Sequence, residues 1–320
     1  MRRSLYHSPY RHPFRNPLRL LVLSLLAGLA APLPGNAAAA PQTPPSPGTD
    51  AAAVVRRAVA NQLAAESTGP PMRFVLHKHD ERHDYTQQVI ETPQGDVALA
   101  VAVHDAPLSA ALHQVQIDRL NALAQNPALQ EHRLHREQED NARVNKLLRL
   151  LPDAFLYHYD RTVPCIVTVP PDVPVPGEPS PAPVNGQAPS QCYHFTFTPN
   201  PNFNPPDAES KIFQGMAGEL WIEASQERLF RLNAHLTADV DFGWGIIGRL
   251  NQGGTVYLEQ TDLGDEWQLT RMKLNLTGKA LMVKALSYHI TEEMAHFAPV
   301  SSHLDYRDAI KMLESEHAPE

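Results

Sequence analysis

The sequence predicts an α+β fold built on one large antiparallel sheet with covering helices. Three observations lead there. Residues 211–263 carry short runs rich in apolar, β-branched and aromatic side chains, each closed by a polar or glycine-rich turn. Residues 109–151 contain no glycine and a single proline, Pro127, which suits helix and not strand. The order is helix, strands, helices and then a long strand series, without the alternation that marks βαβ units and a parallel sheet.

The elements follow in chain order. Residues 1–40 have the parts of an export signal. Arg2, Arg3, Arg11, Arg15 and Arg19 form a basic start, residues 20–31 an apolar run, and small residues at 37–40 a cleavage region. The apolar run is shorter than the roughly 20 residues a membrane span needs, and Pro32 and Pro34 end it. Residues 41–49, rich in Pro, Thr and Ser, read as a flexible spacer. A single β-rich domain is expected over 50–313, with a short tail at 314–320.

Thr49 or Asp50 caps a first helix to about Glu66, striped by Val54, Val55, Ala58, Val59 and Leu63. Gly69, Pro70 and Pro71 stop it. Strands are expected at 72–78, 85–92 and 96–104. The insert 109–151 reads as two helices, 109–125 and 127–151. Its charged face is solvated, and Val144, Leu147, Leu148 and Leu151 form a docking stripe. A strand begins at 155–159, breaks at a proline-dense segment over 165–192 and resumes at 193–198. After the turn at 199–202, strands are expected at 216–223, 228–238, 254–262, 266–276 and 280–291. Ser225-Gln226-Glu227 and Gly264-Asp265 join neighbouring strands as hairpins, and residues 305–313 form a last short helix.

Composition narrows the function classes. The 320-residue chain has a net charge of -8, which argues against nucleic acid and gives no attraction to anionic lipid. Membrane contact is expected only through an uncleaved signal segment. Cys165 and Cys192 are the only cysteines, and an exported chain favours one disulfide between them, closing the proline-dense loop. The alternatives are two free buried thiols or a redox pair, the latter without the usual Cys-x-x-Cys spacing.

Candidate chemistry is sparse. Gly243-Trp244-Gly245-Ile246-Ile247-Gly248 matches a dinucleotide fingerprint in letters, but Asn251-Gln252-Gly253-Gly254 and a strand follow where the motif needs a helix. It reads as a glycine-rich connection. His77, His79 and His83 lie close together, and His77 and His79 share a strand face, so a metal-dependent enzyme built on these three is the alternative function. His132 and His135 sit on a charged helix and read as surface residues. Glu292 and Glu293 are adjacent, so a strand would point them to opposite faces. No activated nucleophile is evident, so no catalytic residue and no cofactor is expected.

The strand faces carry the leading expectation. Phe230, Leu232, Ala234 and Leu236 alternate with polar residues, as do Val256 and Leu258, and Met272, Leu274 and Leu276. One face is therefore apolar, to be covered by the helices of 51–66 and 109–151. It is either a closed core or an open groove for an apolar ligand.

With that pattern stated, the chain resembles the LolA-like superfamily of periplasmic lipoprotein carriers. The resemblance rests on the export signal, the first helix leading into strands, and Gly218-Glu219-Leu220-Trp221-Ile222-Glu223 followed by Leu229-Phe230-Arg231-Leu232. It covers residues 50–300 in pattern and 200–290 in specific matching. The charged insert 109–151 and the proline loop 165–192 depart from the short carriers. The resemblance implies a half-open, barrel-like sheet with helices over an apolar cavity, and no catalytic residue. The expected function is an exported, non-enzymatic protein, periplasmic or secreted, that binds a lipid, acyl chain or lipoprotein. The candidate binding residues are Phe230, Leu232, Leu258, Met272 and Leu274, with Trp221 and Trp244 at a rim. A third expectation is an envelope scaffold that binds a partner through helices 109–151.

Overall fold

A computed structural model describes residues 50–167, 173, 190–242, 248–264, 266–280 and 284–317. The signal and spacer of 1–49, the run 243–247 with Trp244, and most of the proline-dense segment lie outside the described residues. Helix α1 (Ala51–Thr68) starts where the Asp50 carboxylate accepts the Ala53 N–H at 2.9 Å. It ends where the Gly69 N–H donates to the Ala65 carbonyl, just before two prolines. Strands β1 (Met72–His79), β2 (Asp84–Ile90), β3 (Val97–Val103) and β4 (Ala106–Pro107) follow as an antiparallel meander.

Asn126 separates helices α2 (Ala110–Gln125) and α3 (Pro127–Ala154) and accepts the Leu129 N–H to cap the second. Pro127 sits at the start of α3, where its missing N–H costs nothing. Then come β5 (Phe155–Pro164), β6 (Gln191–Pro199), a 3-10 turn (Glu209–Gly215), β7 (Met216–Glu223), β8 (Arg228–Leu236), β9 (Val240–Phe242), β10 (Gly248–Leu250), β11 (Thr255–Asp262), β12 (Trp267–Ala280), β13 (Lys284–Pro299) and α4 (Tyr306–Glu316).

The strands make one 13-stranded antiparallel sheet in the order β4-β3-β2-β1-β13-β12-β11-β8-β7-β6-β5, with the β9–β10 pair beside β12. Its two ends, β4 and β5, are not paired with each other, so the sheet is not closed. Strand β13 is longer than its sequence suggests because it serves two neighbours. Its first part pairs with β12, as in Ala280↔Lys284, and its last part with β1, as in Met72↔Pro299. No helix among the described residues is long and apolar enough to cross a membrane.

Register sorts the side chains onto two faces. Phe74, Leu76, Val89 and Ala98 join the large core, with Leu220, Leu236, Leu258, Met272 and Leu274, beneath α1 and α3. Their strand neighbours Ile90, Val97 and Leu99 join a second cluster with Leu120 and Leu123 of α2 and Ile310 and Leu313 of α4. Adjacent strand residues point to opposite faces, so α2 and α4 cover the other side of the sheet. This corrects the expectation that the whole insert 109–151 covers the apolar face. Only its second helix does, because the insert bends at Asn126–Pro127 around the β2–β3 end. Arg119 donates there to the Ala98 carbonyl and Gln130 to the Gln94 carbonyl.

Candidate functional site

An apolar cleft lies between α3 and the sheet. Val144, Leu147, Leu148 and Leu151 at helical spacing form its roof. Leu220, Leu232, Val256 and Leu258 form its floor, and Phe155, Phe197 and Phe213 close one end. Phe155 packs on Phe197 at 4.6 Å and on Phe213 at 5.3 Å between ring centroids. The cleft encloses about 80 Å³. Gln260 lines it too; its amide donates to Gln62 of α1 at 3.3 Å, and Arg228 donates to the same oxygen at 3.4 Å. Burial pulls the Arg228 guanidinium below its ordinary pKa, opposed by Glu266 and Glu66.

The roof is held from outside by ion pairs. Arg56 of α1 meets Asp153 at 2.6 Å, and Lys146 meets Asp207 at 2.7 Å. Burial works to raise the Asp207 carboxyl. Lys146, with the Ser210 N–H and hydroxyl, outweighs it and holds the group below the usual carboxylate range. Tyr157 donates to the Leu151 carbonyl at 2.8 Å, and burial pushes its phenol well up.

The predicted binding residues divide. Leu232 and Leu258 face each other across β8 and β11 and line the cleft. Met272 and Leu274 are buried in the core and are not part of the cleft lining. Phe230 reaches the cleft, but not through strand alternation. Trp221 faces Arg231 and Ile222 faces Leu229, so Phe230 is the extra residue of a bulge. It packs with Cys165, Cys192 and Trp267 instead of joining Leu232, Ala234 and Leu236 in one row. Trp221 is not at the rim. Its neighbours Leu220 and Ile222 are in the core, so it faces away, stacked on His194 at 4.7 Å. Trp244 lies outside the described residues.

Trp221 belongs to a row of polar side chains that crosses the other face. The register runs Arg161↔His194↔Trp221↔Arg231↔Glu259↔Arg271↔Glu293↔His77 through eight neighbouring strands. From Arg231 to Glu293 the charges alternate. His194 lies 3.1 Å from Asp160, Arg231 meets Glu259 at 2.6 Å, Tyr257 donates to Glu259 at 2.7 Å, and Arg271 meets Glu293 at 2.8 Å. Glu259 is 0 % exposed, so its charge depends on these partners. The segment after β5 covers part of the row. The Cys165–Cys192 disulfide ties it down with a Cα–Cα distance of 5.2 Å, and Arg231 donates to the Ile166 carbonyl at 2.5 Å. Val173 packs on Val75 and Ala295 farther along the same face.

Glu292 and Glu293 do point to opposite faces. Glu292 meets Lys78 at 2.9 Å among core residues, where burial raises its pKa against the pull of Lys78. Glu293 meets Arg271. Both are ion pairs of the framework.

The three histidines do not come together. His77 and His79 both approach Asp84, at 3.1 and 3.4 Å. His83 turns away to Asp80, at 3.0 Å, within its own loop. His104 and Asp105 join the first group instead: His104 Nδ1 lies 3.7 Å from Asp84, and Asp105 lies 3.8 Å from His77. Sequence proximity pointed to His83, whereas the β3–β4 turn supplies the actual neighbours. No protein-family model, curated protein or solved structure matches this chain.

Proposed function

We propose that this chain is an exported, non-enzymatic carrier or binding protein that takes an acyl chain between α3 and the apolar face of the sheet. The observation that carries the reading is the cleft. Its walls are almost wholly aliphatic and aromatic; among the described residues Gln260 is the polar side chain set into them, while Arg231, also in the lining, has its guanidinium held by Glu259 on the other face. That lining supports an apolar ligand, because a polar one would leave hydrogen bonds unmade.

The enclosed part, about 80 Å³, is smaller than the ~150 Å³ cavity that holds benzene in an engineered core. An acyl chain therefore enters by lifting α3. The outer ties of α3 are partly exposed ion pairs, worth about 0–1 kcal/mol each. The unclosed sheet then acts as a half-barrel with α3 as its lid, the arrangement that the resemblance to the LolA-like carriers implies. The disulfide supports a compartment outside the reducing cytosol.

Delipidated protein titrated with a fluorescent fatty acid tests this. Leu232→Trp fills the floor of the cleft and is expected to weaken uptake about tenfold or more, the equivalent of ~1.4 kcal/mol, with an unchanged circular dichroism spectrum. A wild-type protein that takes up no fatty acid, or a folded Leu232→Trp variant that takes it up equally well, overturns the proposal.

A further inference from the structure

We propose a binding site for a divalent metal ion of the zinc class at the β1–β2–β3 corner, with His77, Asp84 and Asp105 as its protein ligands. Three separate pieces of backbone deliver these side chains. His77 and His79 lie two apart on β1 and so share a face. Asp84 opens β2 directly opposite His79. Asp105 comes from the two-residue turn between β3 and β4, closed by the pair Val103↔Ala106.

That turn is unusual in composition. Both of its residues, His104 and Asp105, have left-handed φ, 50° and 57°. A two-residue hairpin turn with two positive φ values normally carries Asn-Gly or another glycine pair. Here ligating residue types occupy both positions. The His104 N–H donates to the Asp84 carbonyl at 3.0 Å, which fixes the turn beside β2.

One donor atom from each of His77, Asp84 and Asp105 lies within 4.8 Å of the other two. Zinc bonds to nitrogen and oxygen are about 2.0–2.2 Å long, which puts tetrahedral ligand atoms roughly 3.4 Å apart. His77 meets Asp84 through Nε2 at 3.1 Å and Asp105 through Nδ1 at 3.8 Å, so binding needs one ring nitrogen to face both carboxylates as Asp105 swings in. Asp105 is exposed and free to rotate inward. His77 and Asp84 are half-buried and already in contact. His79 and His104 approach the second oxygen of Asp84, at 3.4 and 3.7 Å, where they orient the carboxylate as outer-shell partners do. An imidazole with two carboxylates suits zinc and its neighbours in the transition series, whereas calcium and magnesium call for oxygen ligands throughout. Three protein ligands leave a fourth position for water.

The site is separate from the cleft, because His77 continues the polar row on the opposite face. Its test is therefore independent of acyl-chain uptake. Tag-free full-length protein, stripped with chelator, is titrated with Zn²⁺ at neutral pH by calorimetry. A single equivalent is expected to bind. Asp105→Asn, which keeps the shape and tolerates the left-handed backbone, and His77→Ala are each expected to weaken binding about tenfold or more. His83→Ala is expected to leave it unchanged, since His83 pairs with Asp80. Circular dichroism verifies that each variant is folded. No stoichiometric zinc in the wild type, full binding by Asp105→Asn, or loss of binding in His83→Ala overturns the assignment.

Discussion

The two faces of the sheet use the same strands and opposite physics. Beneath α1 and α3, Leu220, Leu236 and Met272 exclude water and need only shape and area. On the reverse, Arg231, Glu259, Arg271 and Glu293 form a chain of alternating charge in which each member depends on its neighbours. An apolar face tolerates an unfilled slot, so a cleft can persist there. A buried charged row does not, because one missing partner leaves a charge stranded in a poorly solvating place. The apolar face is therefore the one that can hold a cleft, while the charged face anchors the disulfide-tied segment through Arg231.

The largest expected effect breaks the charged row. Glu259→Ala takes the carboxylate away from Arg231 and Tyr257 in a site that is 0 % exposed, and is expected to destabilise the protein by about 3–5 kcal/mol in urea unfolding. A change below about 1 kcal/mol would mean that the row is not electrostatically coupled. Next in size is the joint replacement Cys165→Ser with Cys192→Ser. It opens a loop with a sequence separation of 27 and is expected to cost about 3 kcal/mol, read by the same unfolding experiment. Fatty-acid uptake should largely survive it at temperatures where the variant is folded, because neither cysteine is in the lining and only Phe230 links the bridge to the cleft. Loss of uptake by folded protein would show that the two faces are not independent.

The smallest effect is Asp207→Asn, which weakens the Lys146 tie of α3 and leaves Glu209, 3.7 Å from Lys146, as its remaining partner. The folded Asp207 carboxyl is depressed below its unfolded value of about 3.9, so its stabilisation is present above that value and fades as pH falls through the folded pKa. The melting temperatures of wild type and variant should therefore differ at neutral pH and converge below about pH 4. A gap that persists in acid would assign the effect to packing.

Much of the fold was legible because its signals are local. Alternation from Met216 to Glu223, the turn at Ser225–Glu227 and the glycine-free insert each report on a few consecutive residues. Bulges are not local. Phe230 follows the alternation in sequence, yet the pairing of β8 with β7 spends one extra residue there and moves it out of the row. The histidines show the same limit. His83 is near His79 in sequence, while Asp105 is near His77 only because β3 folds back alongside β2.

Element order, amphipathic strands, the α3 stripe and a pair of cysteines suited to one bridge are all readable from the chain. Periodicity, caps and turn residues act within a few positions and are written directly in the chain. Assembly of the sheet sets the rest: α2 leaves the apolar face, Trp221 stacks on His194, Met272 is core, and His77, His79, His104 and Asp105 surround Asp84. Those outcomes depend on cross-strand register and on where the insert bends. Register couples residues as far apart as Lys78 and Glu292, and it emerges only when the whole sheet is assembled.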